Sequence, residues 1–480
     1  MIFTVPFTKN GKPLYYQLYS YLVTEISCGG FAAGEKLPGK RTLAAHLRIS
    51  QNTVETAYQM LVAEGYVTAK PRSGFYVCHL DKLSLPTEST LLMPQQPLVT
   101  PNWKYNLASA TTDTGSFPFK TWSRISKDIM YNTPELLNHG PAQGDENLRQ
   151  AIAKYLHEFR GVQCTAQQLV VGAGIEYLLG VLCQLFKRGT TIALENPGYP
   201  QTGRIIRNNR LNTVFVPVDA YGMDSEALAA TNAQAVYLTP SHQYPTGATM
   251  PVTRRMALLQ WAALQPGRYI IEDDYDSEFR FEGKPVPCLQ GLDSDGCVIY
   301  LSTFSQSLAP SIRIAYMVLP PKLLLQYQTA FKGYASTVSR FEQQTLCGFI
   351  NGGHFSRYVN RMRSIYKARR NFFIGALQKA FCAGRCTVLP GSTGMQLLVR
   401  ITGPYTEQQL CKAAADMGIL VRGLSFYRLD NTVLQDSKST THKTATLILS
   451  FSSLTETQLQ DAVQQLAKAW HIENRLCTEH

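Results

Sequence analysis

Short, largely apolar runs separated by stretches of helical periodicity constrain this chain more than any other feature. The runs are Gln168–Val171, Thr191–Leu194, Ala235–Leu238, Tyr269–Ile271 and Val298–Leu301. A strand with one wet face alternates apolar and polar residues; a continuous apolar strand is buried on both faces. Such strands need helices on each side, and the spacing between the runs leaves room for them. The pattern predicts an α/β domain around a mostly parallel sheet. Leu148–Phe159 reads as a helix, long helices dominate Phe355–Phe381, and a smaller α+β segment runs to the end.

The first eighty residues have a different rhythm. Leu14, Leu18, Leu22 and Ile26 repeat at helical spacing, and Gly29-Gly30 ends that helix. A second helix fits Thr42–Leu47. A third begins at Ser50, carries Val54, Tyr58 and Leu61 on one face, and closes at Gly65. Tyr66–Ala69, a Lys70–Gly74 turn and Phe75–Val77 then read as a hairpin. Helix, helix, turn, helix, hairpin is the order of a winged helix-turn-helix, whose third helix enters a major groove. Ser50, Gln51, Asn52 and Thr53 at its start can hydrogen-bond base edges or phosphates. Ser50 serves equally well as the helix cap. Lys40 and Arg41 precede the second helix, where backbone phosphates would lie. Arg72, with Ser73 and Gly74, forms the hairpin tip, placed to reach a minor groove.

Between the two patterns, Leu80 to Trp103 holds Pro86, Pro94, Pro97 and Pro101 among Ser, Thr and Gln, and reads as an extended linker. The domain boundaries expected are 1–79, a linker over 80–104, and 105–480, with a large part over about 140–355 and a small part over about 356–480. The 480 residues exceed what one core organises. The formal charge of +12 favours a polyanionic partner. The N-terminus has no signal-peptide pattern, and no apolar run approaches the roughly 20 residues of a membrane span. Eleven scattered cysteines argue against zinc or a disulfide framework. A reduced, cytoplasmic protein is expected.

Four segments of the larger domain carry chemistry. Gly172–Glu176 follows a strand and opens a helix, where free N–H groups can hold a phosphate, although such glycine turns are common. Glu195–Tyr199 follows the next strand, and Tyr199 can lie on an aromatic ligand or be an ordinary buried tyrosine. Ile270–Asp276 sets an acidic cluster at a strand's carboxyl end, where open α/β sheets bind ligands. Asp273 there can pair with a protonated pyridine nitrogen, and Tyr275 can hydrogen-bond a phenolic oxygen. A metal site is the alternative, but no His accompanies the run. Thr303–Leu308 followed by Arg313 offers hydroxyls and a guanidinium for a phosphate.

The head motifs Pro38–Ala44, Ser50–Val54, Ala57-Tyr58, Leu61, Ala63–Tyr66 and Ser73-Gly74 resemble the GntR family signature. The four segments, with Ser241–Gly247 and Arg361–Arg370, resemble fold type I aminotransferases. Together the chain resembles the MocR subfamily of GntR transcription regulators. The resemblance implies a fold type I domain binding pyridoxal 5'-phosphate (PLP), double-stranded operator DNA as partner, an amine or amino-acid effector, and a homodimer. It implies that Asp273 meets the pyridine nitrogen, Tyr275 the phenolic oxygen and Tyr199 the ring. Gly174, Ile175, Thr303, Ser305 and Arg313 would surround the phosphate.

The chain departs from the pattern in four places. Gly39 stands where the family usually has Ser, and Gln51 where it commonly has Arg. The run Thr446–Phe451 lacks the arginine that aminotransferases use for a substrate carboxylate; Arg204, Arg422 and Arg428 are candidate substitutes. Gln306 stands where the family has its Schiff-base lysine. An amide nitrogen is not nucleophilic, so covalent attachment is lost. Three readings stay open: PLP held non-covalently, a preformed PLP–amino-acid adduct held whole, or a glutamine introduced at 306 in place of lysine. The expected function is a PLP-responsive regulator without catalytic residues. The alternatives are a working aminotransferase carrying a DNA-binding head, which lacks its proton-shuttling lysine, and a cofactor-free dimerisation platform.

Overall fold

A computed structural model of the chain describes residues 3–8, 11–79, 102–109, 112–282, 286–389, 391, 393–430 and 444–471. The chain divides into two units, Met1–Thr100 and Pro101–His480. The expected linker lies outside the described residues up to 101. Its last residue, Lys104, belongs structurally to the second unit: its N–H donates to Gly418 O at 2.9 Å and its Nζ pairs with Asp461 at 2.9 Å.

In the first unit, helices span Leu14–Ser27, Lys40–Leu47 and Gln51–Ala63, and strands Val67–Lys70 and Gly74–Val77 pair as an antiparallel hairpin. Leu18, Leu22, Leu43, Val54, Tyr58 and Leu61 are fully buried together. Leu14, first in the helix, stays 43% exposed because the core begins a turn later. The second helix starts two residues earlier than its apolar pattern indicates, at Lys40.

Among the described residues the second unit carries an eight-stranded sheet. Its order is Leu169–Gly172, Ala315–Val318, Val298–Thr303, Tyr269–Asp273, Ala235–Leu238, Thr191–Asn196, Asn212–Asp219 and Gly222–Met223. The five strands from Val298–Thr303 to Asn212–Asp219 are mutually parallel, and Ala315–Val318 is inserted antiparallel. Ala235–Leu238 and Val298–Thr303 are buried at every position, as continuous apolar strands between helices must be. Two strands run past their apolar runs, to Asn196 and Asp273, and so carry Glu195, Glu272 and Asp273 into the sheet. Leu301 is in register with Asp273, and Leu238 with Glu272, which aligns the carboxyl ends at one edge.

Among the described residues the small part carries a four-stranded antiparallel sheet in the order Cys386–Val388, Gln396–Thr402, Thr444–Ser450 and Arg422–Gly423. The helices His354–Ala380 and Glu456–Ala469 share a core with it through Phe373, Leu377, Leu449 and Leu466. Among the described residues no helix is long and apolar enough to cross a membrane, and no cluster of potential ligands could hold a metal ion.

Candidate functional site

The DNA-facing candidates of the first unit separate into spent and free groups. Ser50 caps the third helix: its Oγ accepts from Thr53 N–H at 3.1 Å and meets Thr53 Oγ1 at 2.8 Å. Thr53 is thereby half-buried and engaged locally, whereas Gln51 and Asn52 are exposed in the first turn. Lys40 is also spent, its Nζ 2.7 Å from Glu55 Oε1. Arg41 is exposed and enters no ion pair among the described residues. Arg72 is exposed at the hairpin tip with φ +58°. Ser73 Oγ meets Tyr76 Oη at 2.7 Å, and Gly74 at φ +121° leaves room for Lys36, whose Cε would lie 3.0 Å from a Cβ there. Lys36 reaches the wing because its backbone pairs with Tyr76. Lys36, Lys70 and Arg72 thus gather at one tip; sequence spacing gives no sign of Lys36, which lies 36 residues before Arg72.

In the second unit a cavity of about 320 Å³ opens at the carboxyl edge of the parallel strands. Ile175, Tyr199, Asp273, Tyr275, Thr303, Ser305, Gln306 and Arg313 all line it. Gly174 stands behind the wall at φ +95°, capping the Ile175–Leu185 helix; a Cβ there would come within 2.2 Å of Arg313 Nη2. Only glycine combines that backbone angle with that approach.

The acidic run resolves into four separate tasks. Glu272 accepts the N–H groups of Leu289 and Gln290 at 2.7 and 2.8 Å. Asp274 forms a buried ion pair with Arg160 at 2.8 Å and accepts from Tyr300 Oη at 2.5 Å. Asp276 pairs with His242 Nδ1 at 2.8 Å. Asp273 faces the cavity: Oδ2 accepts from Tyr237 Oη, and Oδ1 is buried with no partner among the described residues. Burial raises the Asp273 carboxyl to about 7 against the lowering effect of Tyr237, with Asp274, Asp276 and Glu176 adding to the rise. A cation set against Oδ1 would relieve that burial.

A histidine therefore does accompany the acidic run, contrary to the reading from its local sequence. His242 arrives from the segment after Ala235–Leu238, and Tyr275 Oη meets its Nδ1 at 2.9 Å. Gly394 makes room for the pair: a Cβ there would fall 2.0 Å from His242 Cε1 and 2.9 Å from Asp276 Oδ2. The tyrosines form an aromatic wall, Tyr199 and Tyr275 each edge-on to Tyr244 with centroids 5.6 and 5.8 Å away.

On the opposite side Thr303 caps the Phe304–Ser307 helix, accepting from Ser305 N–H at 3.1 Å and donating to Ser305 Oγ at 2.9 Å. Arg313, at φ +54°, points Nη2 to Glu176 Oε2 at 2.7 Å and to Ala173 O at 3.3 Å. Gln306 Oε1 is buried without a partner among the described residues. Glu195 also lines the cavity; Oε2 accepts from Thr239 N–H and Oγ1, Oε1 has no partner among the described residues, and burial lifts the carboxyl to about 7. Among the described residues no lysine lines this cavity, and Arg204, Arg422 and Arg428 do not reach it. Arg204 is exposed, and the Arg422 guanidinium lies 3.8 Å from the centroid of Phe426.

Comparison with known proteins places both units. The profile of the aminotransferase class I and II family matches residues 104–466, and that of the bacterial regulatory proteins, gntR family, matches 14–77. The chain is 38% identical to the uncharacterized HTH-type transcriptional regulator YdeL of Bacillus subtilis (strain 168), over 96% of this chain and 97% of that protein. It is 33% identical to the probable rhizopine catabolism regulatory protein MocR of Rhizobium meliloti, over 86% and 87% of the two chains. The kynurenine aminotransferase of Pyrococcus horikoshii superposes with a TM-score of 0.66 at 24% identity, covering 77% of this chain and 91% of its own, which establishes the shared fold.

Proposed function

The chain belongs to the MocR-type branch of the GntR transcription regulators, with a winged helix-turn-helix and a class I and II aminotransferase domain, and we propose that it regulates transcription in response to PLP or a PLP–amine adduct held non-covalently. The orphaned Asp273 Oδ1 in the cavity wall carries this reading. A buried carboxylate oxygen without a donor is costly, and a protonated ring nitrogen supplies the missing donor. The cavity volume suits a ligand of this size.

Asp273 would hold the proton at the ring nitrogen, Tyr275 the phenolic oxygen, and Tyr199 the ring. Gly174, Ile175, Thr303, Ser305 and Arg313 would hold the phosphate. When bound, the cofactor supplies an electron-withdrawing ring. Gln306 takes the place of the family's lysine, so no covalent bond to the protein forms there. Residues 1–79 serve DNA and 105–480 serve ligand binding and dimerisation. Four large apolar side chains support a homodimer: Phe119, Met130 and Tyr131 on the Phe119–Asn132 helix, which buries no residue of its own, and Leu137 just after it are 58–82% exposed. The cysteines among the described residues are all thiols rather than disulfides, which supports a reducing, cytoplasmic setting. Ligand and operator are coupled by linkage: a ligand that prefers one arrangement of the dimer shifts its affinity for DNA, and DNA shifts its affinity for ligand equally.

The test is the visible spectrum of the protein with PLP, before and after dialysis and amine addition, paired with a promoter gel shift. A band like that of free PLP, retained by the protein yet lost on dialysis, with a DNA affinity that changes on loading, is expected. No retained band, or no change in DNA binding on loading, defeats the proposal. Light scattering of the full chain should give twice its mass, and a clean monomer at micromolar concentration contradicts the dimer.

A further inference from the structure

Glu176 lies in the first turn of the Ile175–Leu185 helix and lines the cavity. Its Oε2 is 2.7 Å from Arg313 Nη2, and both groups press over Gly174: a Cβ built there would fall 2.2 Å from Arg313 Nη2 and 3.1 Å from Glu176 Oε2. The carboxylate thus holds the positive end of the helix and the guanidinium together, the two features that suit a phosphate. Arg313 is the one arginine lining the cavity among the described residues, and its Nη2 is divided between Glu176 and Ala173 O. Burial pushes the Glu176 carboxyl up, but the hydrogen bonds from Arg313 and from its own backbone N–H outweigh this and hold it below its usual range, so it is ionised at neutral pH.

We propose that Glu176 is a built-in substitute for the ligand's phosphate, which the phosphate must displace from Arg313 before it can bind. This rests on the cofactor reading above and adds to it the residue that limits affinity. A carboxylate and a phosphate dianion cannot both keep one guanidinium at contact distance without mutual repulsion. Glu176 therefore swings away, exposed as its side chain already is by 47%, and each binding event breaks one ion pair to form another. Apparent affinity falls by the fraction of time Arg313 is free. The consequence is a site that releases its ligand readily, as a sensor needs, where a covalently loaded enzyme would retain it. The specificity is for the phosphate alone; Glu176 should make no difference to a ligand that lacks one.

The experiment titrates the full-length protein, Glu176→Gln and Glu176→Ala with pyridoxamine 5'-phosphate and with phosphate-free pyridoxamine, neither of which condenses with surface lysines. Intrinsic fluorescence and equilibrium dialysis give the dissociation constants. Both variants should bind the phosphorylated ligand about tenfold tighter, a change of about 1.4 kcal/mol, and bind pyridoxamine unchanged. Inorganic phosphate should compete more strongly in the variants by a similar factor. Glutamine keeps the shape of the side chain and alanine removes it, so a gain common to both reports the lost charge. If the unaltered protein binds the phosphorylated ligand and the variants bind it equally or more weakly, Glu176 merely buttresses Arg313 and the proposal is overturned while the cofactor reading stands. An equal gain for pyridoxamine overturns it too. If no form of the protein binds the phosphorylated ligand, the cofactor reading falls and this proposal with it.

Discussion

Tyr237 donates its hydroxyl hydrogen to one oxygen of Asp273 and leaves the other buried in the cavity wall, unpaired among the described residues. The tyrosine fixes the carboxylate's orientation from the neighbouring strand, since Ala235–Leu238 and Tyr269–Asp273 run parallel and in register. Asp273→Asn keeps the shape but removes the charge that a protonated ring nitrogen meets. A hydrogen bond to a charged group contributes about 1.5–3 kcal/mol, so ligand affinity should fall by about ten- to a hundredfold in equilibrium dialysis. Tyr237→Phe removes only the orienting bond and should cost several-fold. Unchanged affinity in Asp273→Asn would mean that the ligand does not use this carboxylate.

Four buried carboxyls, Glu195, Glu272, Asp273 and Glu278, are each raised to about 7, with burial the largest cause in every case. A carboxyl raised in the folded state binds its proton more tightly there than in the unfolded chain. Its contribution to stability is fully present below the usual carboxylate range and is lost as pH rises through about 7. The ligand-free protein should therefore melt at progressively lower temperature as pH climbs from about 5 to 8. Asp113, Glu176 and Asp461 are lowered and act in the opposite sense, but only in stronger acid. Ligand that ionises Asp273 should flatten the decline. A differential scanning fluorimetry series that is level or rising over this range would contradict the assignment.

Apolar runs mark the centres of the buried strands, because Val236, Ile270 and Ile299 must be excluded from water on both faces. They do not mark the ends. Glu195 and Asp273 extend two of the strands, and hydrophobicity stops just where the chemistry begins. The strand Asn212–Asp219 shows the signal weakly: its apolar run Val214–Val216 is short, broken by Pro217 and mostly half-exposed. Most motif residues of the cavity can be read locally, since they lie at the carboxyl end of a strand or in the turn or helix start that follows it. Their partners cannot: His242 and Tyr237 reach Asp276 and Asp273 only through sheet pairing across more than 30 residues. The role of Glu176 is equally hidden, because nothing local shows that Arg313, 137 residues later, returns to it.

Gln306 stands in the cavity wall with Oε1 buried and without a partner among the described residues. An amide there can meet a ligand but cannot attack it. Gln306→Lys supplies an amine of similar reach, and PLP should then become resistant to dialysis and fixable by borohydride, with the label mapped to position 306. Asp273→Ala in that background should loosen the cofactor and shift its absorption. The unaltered protein should yield no fixed label. A label on the unaltered protein traced to this cavity would show that another lysine reaches it.

The head offers a comparison between neighbouring cations. Arg41 is exposed and unpaired among the described residues, while Lys40 is 2.7 Å from Glu55. A phosphate contact from Arg41 releases counterions, so Arg41→Ala should weaken binding to every DNA sequence and lower the slope of log affinity against log salt by about one. Lys40→Ala should change the slope less, because Lys40 must first leave its glutamate. Asn52 lies in the first turn of the third helix, exposed and next to the Ser50 cap. A bidentate contact from it to a base is worth about 1–3 kcal/mol of discrimination. Asn52→Ala should therefore narrow the gap between operator and random DNA while keeping the salt slope. Gel shifts across a salt series measure all three variants. Equal slopes for Arg41→Ala and the unaltered head would remove Arg41 from the interface, and a failure of the intact protein to bind its own promoter region would remove the head from DNA altogether.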